Sequence, residues 1–420
     1  MKRNEIFSVK WLLLHITATK KTYKNIFLVL LLLLPAALMA QEVKERQAPD
    51  TTYYKTLIPE EKQALLKNVS MIANMRFAER NEFQDGEYTK SRFTNEQFRL
   101  EIKGKVHDKV YFRFRDRYTR AQTSESVDGI SRSTDLAFIR VDATKKLSIS
   151  AGKLCADWGA IEFDMNPIDV YEYSDIIEYA DNFLTGVGVS YVLNSKHQFT
   201  FQALDSRTKT FNELYGPQPN LEESKVPLAF VVNWRGSLFD GKFNTIWSYA
   251  LHNEARDTVQ DKPAVMNYFA LGNQLKLGKL TIEYDYKISM EDLDRTSIVS
   301  TTVPDNLYPF ALKNTLYIGH WLHVYYRINP KINIAFVGMM DLAKYKDNID
   351  PLKTSDDIRT AWGFIPTFEY YPFQNLNLRF YANWIGRNYQ YSDYAKSRFK
   401  AVDYTTGRFA IGFVTPLGIF

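Results

Sequence analysis

Apolar and polar side chains alternate with a period of two over long stretches of this sequence. In residues 98–106 and 280–289, one parity carries mainly Phe, Leu, Ile, Val or Tyr, and the other carries mostly charged side chains. A helix would spread these charges around its whole circumference, whereas a β-strand places them all on one face. The alternation therefore predicts strands with one apolar and one polar face, and it recurs through most of residues 68–420.

Counting these stretches gives roughly sixteen strands of roughly 10 to 16 residues, and about 9–11 residues are enough to cross a membrane at a tilt. Short turns, as at 107–109, alternate with long polar loops. The long loops are expected at residues 80–92, 121–132, 155–181, 207–225, 291–311 and 389–405. The sequence thus predicts an all-β fold, a transmembrane antiparallel β-barrel of about 16 strands with short periplasmic turns and long extracellular loops.

A soluble β-sandwich is the main alternative fold. Its strands are usually about 5–6 residues long, which is shorter than most of the alternating stretches here. Aromatic residues make up 15% of the chain, and pairs such as Tyr325-Tyr326 and Tyr370-Tyr371 lie at the ends of predicted strands. Membrane barrels place Tyr and Trp at these positions, where the strands cross the lipid–water interfaces. Strand length and aromatic positions therefore favour the barrel.

The N-terminal region has the pattern of a secretory signal peptide. Three lysines precede an apolar stretch, residues 26–40, which ends in small residues and is followed by a polar run. This stretch of about 15 apolar residues is short for an uncleaved membrane anchor, which needs roughly 20. We therefore predict a signal peptide over 1–40 that is cleaved near Ala40, a periplasmic N-terminal extension over 41–67, and a barrel over 68–420. The predicted location is the outer membrane of a Gram-negative cell.

The formal net charge of +5 is carried by the predicted leader. The first 40 residues contain six of the 53 basic residues and one of the 48 acidic residues, which leaves 47 of each beyond that point. A neutral remainder does not favour binding of nucleic acid or another polyanion through bulk charge. The single cysteine, Cys155, excludes a disulfide within the chain.

Basic side chains are concentrated on the polar parity of the first four predicted strands. In a membrane barrel the outward parity is apolar, so the polar parity faces the lumen. Rings of Arg or Lys are expected in an anion pore, because a guanidinium stays charged and donates paired hydrogen bonds to phosphate or carboxylate. The candidate pore-lining and anion-binding residues are Arg76, Arg99, Lys103, Arg113, Arg115, Arg117 and Arg140. Alternatively, nearby acids such as Glu101 and Asp142 neutralise this wall.

The predicted loop 155–181 contains eight acidic residues and no basic residue. It also contains Trp, Phe, Tyr and Ile residues, which a loop in water does not need. We therefore expect this loop to fold into the lumen and narrow it. The candidate constriction residues are Asp157, Glu162, Asp164, Asp169, Glu172 and Asp175. These acids could pair with the arginines at 113–117 or bind a divalent cation, although the twelve-residue spacing of a calcium loop is absent.

The sequence contains no pattern typical of a catalytic, metal or cofactor site. His320 and His323 are three residues apart on a predicted strand and so lie on opposite faces, which argues against joint metal binding. The glycine pair at 186–188 lies within a predicted strand, without the helix that a nucleotide-binding glycine motif requires. We predict no enzymatic activity, no catalytic residue, no cofactor and no metal site, and we keep a rim-active hydrolase as an alternative.

A family resemblance is visible in two parts of the sequence, residues 163–174, preceded by Gly152-Lys153, and the strand 111–115. They resemble the Bacteroidetes branch of the porins related to the phosphate-selective porin O and P family. The resemblance implies a sixteen-stranded, trimeric outer-membrane channel for anions, with an inward-facing arginine ladder at residues 113, 115 and 117. The acidic loop departs from an all-basic constriction, so phosphate selectivity does not follow from the resemblance.

The expected function is passive diffusion of small solutes through an outer-membrane porin that prefers anions such as phosphate. The expected partners are outer-membrane lipid, small anionic solutes and further copies of the chain in a homotrimer, but no nucleic acid. The alternative is a plugged or partner-binding barrel with a structural or assembly role. The sequence does not determine the permeant solute, because selectivity depends on pore radius and loop geometry.

Overall fold

The structure, a computed structural model, describes residues 68–120, 126–305, 307–347 and 350–419. The predicted signal peptide and N-terminal extension lie outside the described residues. Seventeen β-strands join into one sheet in the described part of the chain. They are β1 (Val69–Gln84), β2 (Glu87–His107), β3 (Val110–Arg117), β4 (Thr134–Asp142), β5 (Leu147–Cys155), β6 (Phe183–Asn194), β7 (His197–Asp205), β8 (Leu221–Glu223), β9 (Leu228–Leu238), β10 (Phe243–Asp257), β11 (Lys262–Leu277), β12 (Leu280–Leu293), β13 (Lys313–Asn329), β14 (Ile332–Tyr345), β15 (Asp357–Tyr370), β16 (Arg379–Tyr391) and β17 (Tyr404–Gly418).

The helices of the described residues are short and lie in the connections between strands. They are α1 (Ile161–Asp164), α2 (Asp175–Glu178), α3 (Phe211–Tyr215), α4 (Ile298–Thr302) and α5 (Asp393–Phe399). None of the helices in this part of the chain is both long and apolar enough to cross a membrane.

The sheet closes on itself because β1 pairs with β2 on one side and with β17 on the other. Every wall strand is antiparallel to its neighbours, and β7 pairs directly with β9. The three-residue β8 pairs only with the end of β10, where it continues the line of β9, so it adds no further strand to the ring. Sixteen strands therefore form the ring, and the predicted antiparallel β-barrel of about 16 strands is confirmed.

The two faces of the wall differ as the period-two pattern predicts. On β15, Trp362 and Phe364 are 50% and 40% exposed, whereas the alternate residues Ala361 and Ile365 are buried. Exposed apolar side chains recur on the same parity around the ring, for example Phe201 and Phe269. Such an outward apolar band is the lipid-facing surface of a membrane barrel, and the other parity faces inward.

Most connections have the predicted lengths, but residues 80–92 do not form a long loop. β1 continues to Gln84 and β2 begins at Glu87, so only Asp85 and Gly86 form the turn. Both have positive φ, 52° and 86°, as a two-residue hairpin turn requires, and Asp-Gly is the preferred sequence there. The polar residues that suggested a loop belong to a strand extension. β10 and β11 are likewise joined by a short turn at 258–261, so the strict alternation of turn lengths was wrong.

Candidate functional site

Inward-facing basic side chains of β2 and β3 lie side by side because of the strand register. Arg99 is paired with Arg117, Glu101 with Arg115, and Lys103 with Arg113. Directly opposed residues of antiparallel strands share one face of the sheet. The structure therefore brings together five of the predicted pore-lining residues, which we call the arginine wall: Arg99, Lys103, Arg113, Arg115 and Arg117.

Two carboxylates pair with the arginine wall. Glu101 lies 3.2 Å from Lys103 Nζ and 3.1 Å from Arg113 Nη2. Asp135 lies 2.9, 3.2 and 2.7 Å from nitrogen atoms of the remaining three bases, Arg99, Arg115 and Arg117 respectively. Five bases and two carboxylates leave an excess of three positive charges. Neutralisation of the wall by nearby acids is therefore only partial.

Asp135 was not predicted from the sequence, whereas the predicted acid Asp142 pairs with Arg140, one of the candidate pore-lining residues. The register between β3 and β4 shifts at this point, with Arg115 opposite Leu136 and Asp116 opposite Thr134. The extra residue between Thr134 and Leu136 is Asp135, so a bulge turns its carboxylate inward. Simple alternation would have placed the Asp135 side chain on the outer face. A β-bulge changes which face a side chain points to.

The other two predicted pore-lining residues have different surroundings. Arg140 pairs with Asp142 at 3.1 Å and does not reach the arginine wall. Arg76 pairs with Glu96 at 2.8 Å, and its Nη1 donates to the carbonyl oxygens of Ile168 and Val170 at 3.1 and 2.6 Å. Arg76 therefore binds the backbone of the chain between β5 and β6.

We call that connection, residues 156–182, the acidic segment; it contains α1 and α2. The Asp285 carboxylate on β12 accepts hydrogen bonds from the backbone N–H groups of Ile161 and Glu162 at 3.1 and 2.8 Å. An acceptor with negative charge stabilises the start of a helix because its first N–H groups are unpaired. The Glu162 carboxylate then accepts from both the backbone N–H and the hydroxyl of Ser174, each at 2.7 Å. This closes residues 162–174 into a loop.

Six carboxylates of the acidic segment pair with bases of the barrel wall. The pairs are Asp157 and Asp164 with Arg235, Glu162 with Lys287, Asp169 with Arg379, Glu172 with Arg408, and Asp175 with Arg359 and Arg387. These bases lie on β9, β12, β15, β16 and β17. Among the described residues, no acid of the segment forms an ion pair with the arginine wall, so the expected pairing with residues 113–117 was wrong.

Apolar contacts also hold the acidic segment against the inner face. Trp158 is buried, and its ring meets Tyr268 of β11 edge-on, with centroids 4.5 Å apart. The Ser248 hydroxyl donates to the Trp158 carbonyl oxygen at 2.6 Å. Further along, the rings of Tyr171 and Tyr381 are 4.7 Å apart. The apolar residues that were unexpected in a polar loop are therefore packing contacts with the wall.

Burial raises the pKa values of several titratable side chains of the acidic segment, among them Asp157 and Tyr173. Burial raises the pKa of Asp157, and Arg235 offsets only part of this effect. Burial also raises the pKa of Tyr173 to about 12, against the opposing influence of Arg99 and Arg76. The Tyr173 hydroxyl thus keeps its proton at any physiological pH and remains a hydrogen-bond donor.

A cavity of about 1560 Å³ remains between the arginine wall and the acidic segment. It is lined by all five residues of the arginine wall and, from the segment, by side chains that include Asp164, Tyr173 and Glu178. It extends from Val69 and Gly418, near the turn-side ends of β1 and β17, to Arg120 beyond β3. The inner face thus has one side with excess positive charge and another whose acids are mostly paired.

The predicted geometry of the histidine pair is also seen. His320 contacts the Tyr284 hydroxyl at 2.8 Å, and His323 contacts the Glu283 carboxylate at 2.8 Å. Tyr284 and Glu283 are neighbours on opposite faces of β12, so the histidines point to different sides of the wall. Within the described residues, no group of three or more His, Cys, Asp or Glu side chains is placed to hold a metal ion.

The sequence pattern alone did not identify the bases that hold the acidic segment. They are Arg235, Lys287, Arg359, Arg379, Arg387 and Arg408. A usable signal existed for some of them: Lys287 is on the polar parity of the alternating stretch 280–289. The alternation predicts that such a residue faces inward, but it does not say what the residue contacts there.

Solved structures similar to this fold are outer-membrane channels. The outer membrane channel DcaP of Acinetobacter baumannii gives a TM-score of 0.58 at 12% identity, over 83% of this chain and 97% of that chain. OmpF of Salmonella typhi in complex with daunomycin gives 0.53 at 13% identity, over 83% and 98%. The anion-selective porin from Comamonas acidovorans gives 0.52 at 10% identity, over 83% and 99%. At such low identities the similarity concerns the fold alone.

The sequence itself places the chain in a family. No curated protein sequence matches it. Residues 74–413, however, match the family model described as phosphate-selective porin O and P. Since this match covers most of the chain and the fold is that of a channel, the protein belongs to the phosphate-selective porin O and P family and is an outer-membrane porin.

Proposed function

We propose that this porin passes small solutes with a preference for anions. The observation that carries the proposal is the charge balance of the arginine wall, five bases against the two carboxylates Glu101 and Asp135. Fixed positive charges beside a narrow path raise the local concentration of anions and lower that of cations. Guanidinium groups keep this charge at every relevant pH and offer paired donors to carboxylate or phosphate.

We further propose that the acidic segment lies within the lumen and forms its constriction. The supporting observation is that its contacts come from strands far apart on the ring. Lys287 of β12 binds it at Glu162, and Arg76 of β1 binds it at Val170. A chain held at both places extends between distant parts of the inner face and reduces the open cross-section to the cavity beside the arginine wall.

The charge preference is tested by reversal potentials in planar bilayers under a KCl gradient. The purified porin is expected to be anion-selective, and the Arg113→Gln, Lys103→Gln double variant should shift the reversal potential towards cations. These two side chains are the most exposed of the wall, at 33% and 36%. Lys145→Gln, in the exposed turn between β4 and β5, is the matched control and should leave the potential unchanged.

The same recordings decide against the proposal in two ways. A cation-selective wild type, or a double variant with an unchanged reversal potential, contradicts the anion preference. A purified, folded barrel that conducts no current favours the alternative of a plugged or partner-binding barrel.

We propose the processing and assembly of the chain from its sequence pattern and family. Residues 1–40 are removed after Ala40, residues 41–67 remain in the periplasm, and the barrel forms a homotrimer in a Gram-negative outer membrane. N-terminal sequencing of the protein from isolated outer membranes should begin at Gln41. Light scattering in detergent should give three times the mass of the mature chain, and a monomer mass would exclude the trimer.

A further inference from the structure

Aromatic side chains line the cavity on the side of the acidic segment. Tyr173 and Tyr179 both contribute to its lining, and Tyr179 is 53% exposed. Neither ring stacks on another ring among the described residues. Among the polar and charged side chains that line the cavity, these rings offer flat contact surfaces to a solute.

The arginine wall offers flat, charged surfaces to the same cavity. The guanidinium carbons of Arg115 and Arg117 lie 5.3 and 5.9 Å from the centre of the Phe183 ring, which also lines the cavity. Arg99 is 3% exposed, and its Nη1 has no hydrogen-bond partner among the described residues. The arginine wall thus has one unpaired hydrogen-bond donor, Arg99 Nη1, beside two guanidinium groups that lie over the Phe183 ring.

The dimensions of the cavity also bear on the solute. Sites for small organic molecules usually measure about 300–1,000 Å³, and this cavity measures about 1560 Å³. A small inorganic anion would contact the arginine wall alone and leave Tyr173 and Tyr179 without a role. An anion attached to a ring suits both parts of the lining, because the face of an aryl or sugar ring packs on tyrosine while its charged group binds guanidinium.

We propose that the preferred solutes are organic anions in which a phosphate or carboxylate is attached to an aryl or sugar ring. The anionic group accepts hydrogen bonds from Arg99, Arg115 and Arg117, and the flat face of the ring packs against Tyr179 and Tyr173. This inference rests on the proposed anion preference and specifies the class of solute for the same cavity.

The test measures how strongly three solutes block the chloride current of the purified porin in planar bilayers. The solutes are inorganic phosphate, phenyl phosphate and glucose 6-phosphate. Half-blocking concentrations of the two ring phosphates should be about two- to tenfold below that of inorganic phosphate, the factor expected of one aromatic contact. The Tyr173→Ser, Tyr179→Ser double variant should lose this advantage while its block by inorganic phosphate stays the same.

A matched variant separates loss of the rings from loss of the fold. Tyr173→Phe with Tyr179→Phe keeps both rings and should retain the advantage, whereas Tyr88→Ser on the β1–β2 hairpin should behave as wild type. Equal block by all three solutes, or an advantage that survives the double serine variant, overturns the ring proposal. An advantage for only one of the two ring phosphates narrows the class to aryl or sugar anions. A wild type without anion selectivity overturns the proposed function itself, which the reversal potential measures independently.

Discussion

Lys287 of β12 and Glu162 of the acidic segment form an ion pair in which neither side chain has any exposed surface. Ser174 completes the contact: its hydroxyl accepts a hydrogen bond from Lys287 Nζ at 2.7 Å and donates one to the Glu162 carboxylate at 2.7 Å. The two ends of the loop 162–174 therefore meet at one point of the wall. Removing one member of such a pair leaves the other charge buried without a partner.

Lys287→Met tests whether this pair holds the acidic segment in place. We expect the free energy of unfolding to fall by about 3–5 kcal/mol, the usual cost of an unpaired buried charge, in urea titrations of the reconstituted barrel. With the segment as the proposed constriction, single-channel conductance should rise or fluctuate, because a released segment no longer keeps one position in the lumen.

Two further variants serve as controls for Lys287→Met. The ion pair between Lys344 and Asp357 is 2.6 Å long but partly exposed, at 28% and 59%, so Lys344→Met should cost less than about 1 kcal/mol. Adding Glu162→Gln to Lys287→Met removes the unpaired charge and should recover part of the loss. If Lys287→Met changes neither stability nor conductance, the segment is held elsewhere.

Gly272 of β11 lies close against the acidic segment. A Cβ atom at this position would lie 2.9 Å from both the Ala160 Cβ and the Ile161 backbone nitrogen. Gly272→Val should therefore push α1 away from the wall and cost about 1–3 kcal/mol, as overpacking usually does. Conductance recordings should show an altered open level. Gly338→Val is the control, because a Cβ there would meet only Phe336 on the outer face, and a similar conductance change in both variants would contradict this contact.

Replacing Asp135 should increase the anion selectivity of the channel and decrease the stability of the barrel. It is buried and pairs with Arg99, Arg115 and Arg117, so Asp135→Asn raises the excess charge of the arginine wall from three to four. The reversal potential should become more anion-selective, while the free energy of unfolding falls by about 3–5 kcal/mol. Asp142→Asn, which affects only the more exposed pair with Arg140, should change neither by much. A cation-directed shift in Asp135→Asn would mean that the wall does not set selectivity.

The strands were predictable from the sequence because the period-two pattern is local. The pattern identified the inward parity of β2, β3 and β12 from a few consecutive residues each. It failed at Asp135, where one bulged residue reverses the parity. It also failed at 80–92, because a polar hairpin beyond the apolar band has the composition of a loop. Strand identity therefore follows from alternation, but local exceptions to it do not.

The partners of the acidic segment were not predictable for a different reason. Glu162 and Lys287 are 125 residues apart in the chain, and the wall offers many inward-facing bases. Which base an acid meets depends on the path of the segment across the ring, a property of the closed barrel and not of any local pattern. The aromatic and apolar content of the segment correctly indicated that it packs against something, without identifying Tyr268 or Tyr381.

Asp128, in the connection between β3 and β4, provides a prediction about pH. Its carboxylate accepts a hydrogen bond from the Thr185 hydroxyl at 2.8 Å and lies 3.0 Å from Nζ of the buried Lys153. Burial raises the pKa of Asp128, but the neighbouring Ser126, Lys153 and Thr185 side chains together lower it more, so the pKa lies below its usual value. An unfolded Asp titrates near pH 3.9. The folded state therefore favours the charged form.

A lowered folded pKa contributes stability above the unfolded pKa, and this contribution is lost as the pH falls through the folded value. Wild type should thus be more stable than Asp128→Asn by about 1–3 kcal/mol at pH 7, with the same difference at pH 5. Below about pH 3.9 the difference should shrink, because Asp128 of the unfolded chain then binds a proton that the folded state binds only at a lower pH. Urea unfolding of both proteins from pH 7 to pH 3 measures this, with the 95% exposed Asp240 changed to Asn as the control. A difference that does not shrink at all between pH 5 and pH 3 would show that shape, and not the charge of Asp128, stabilises the connection.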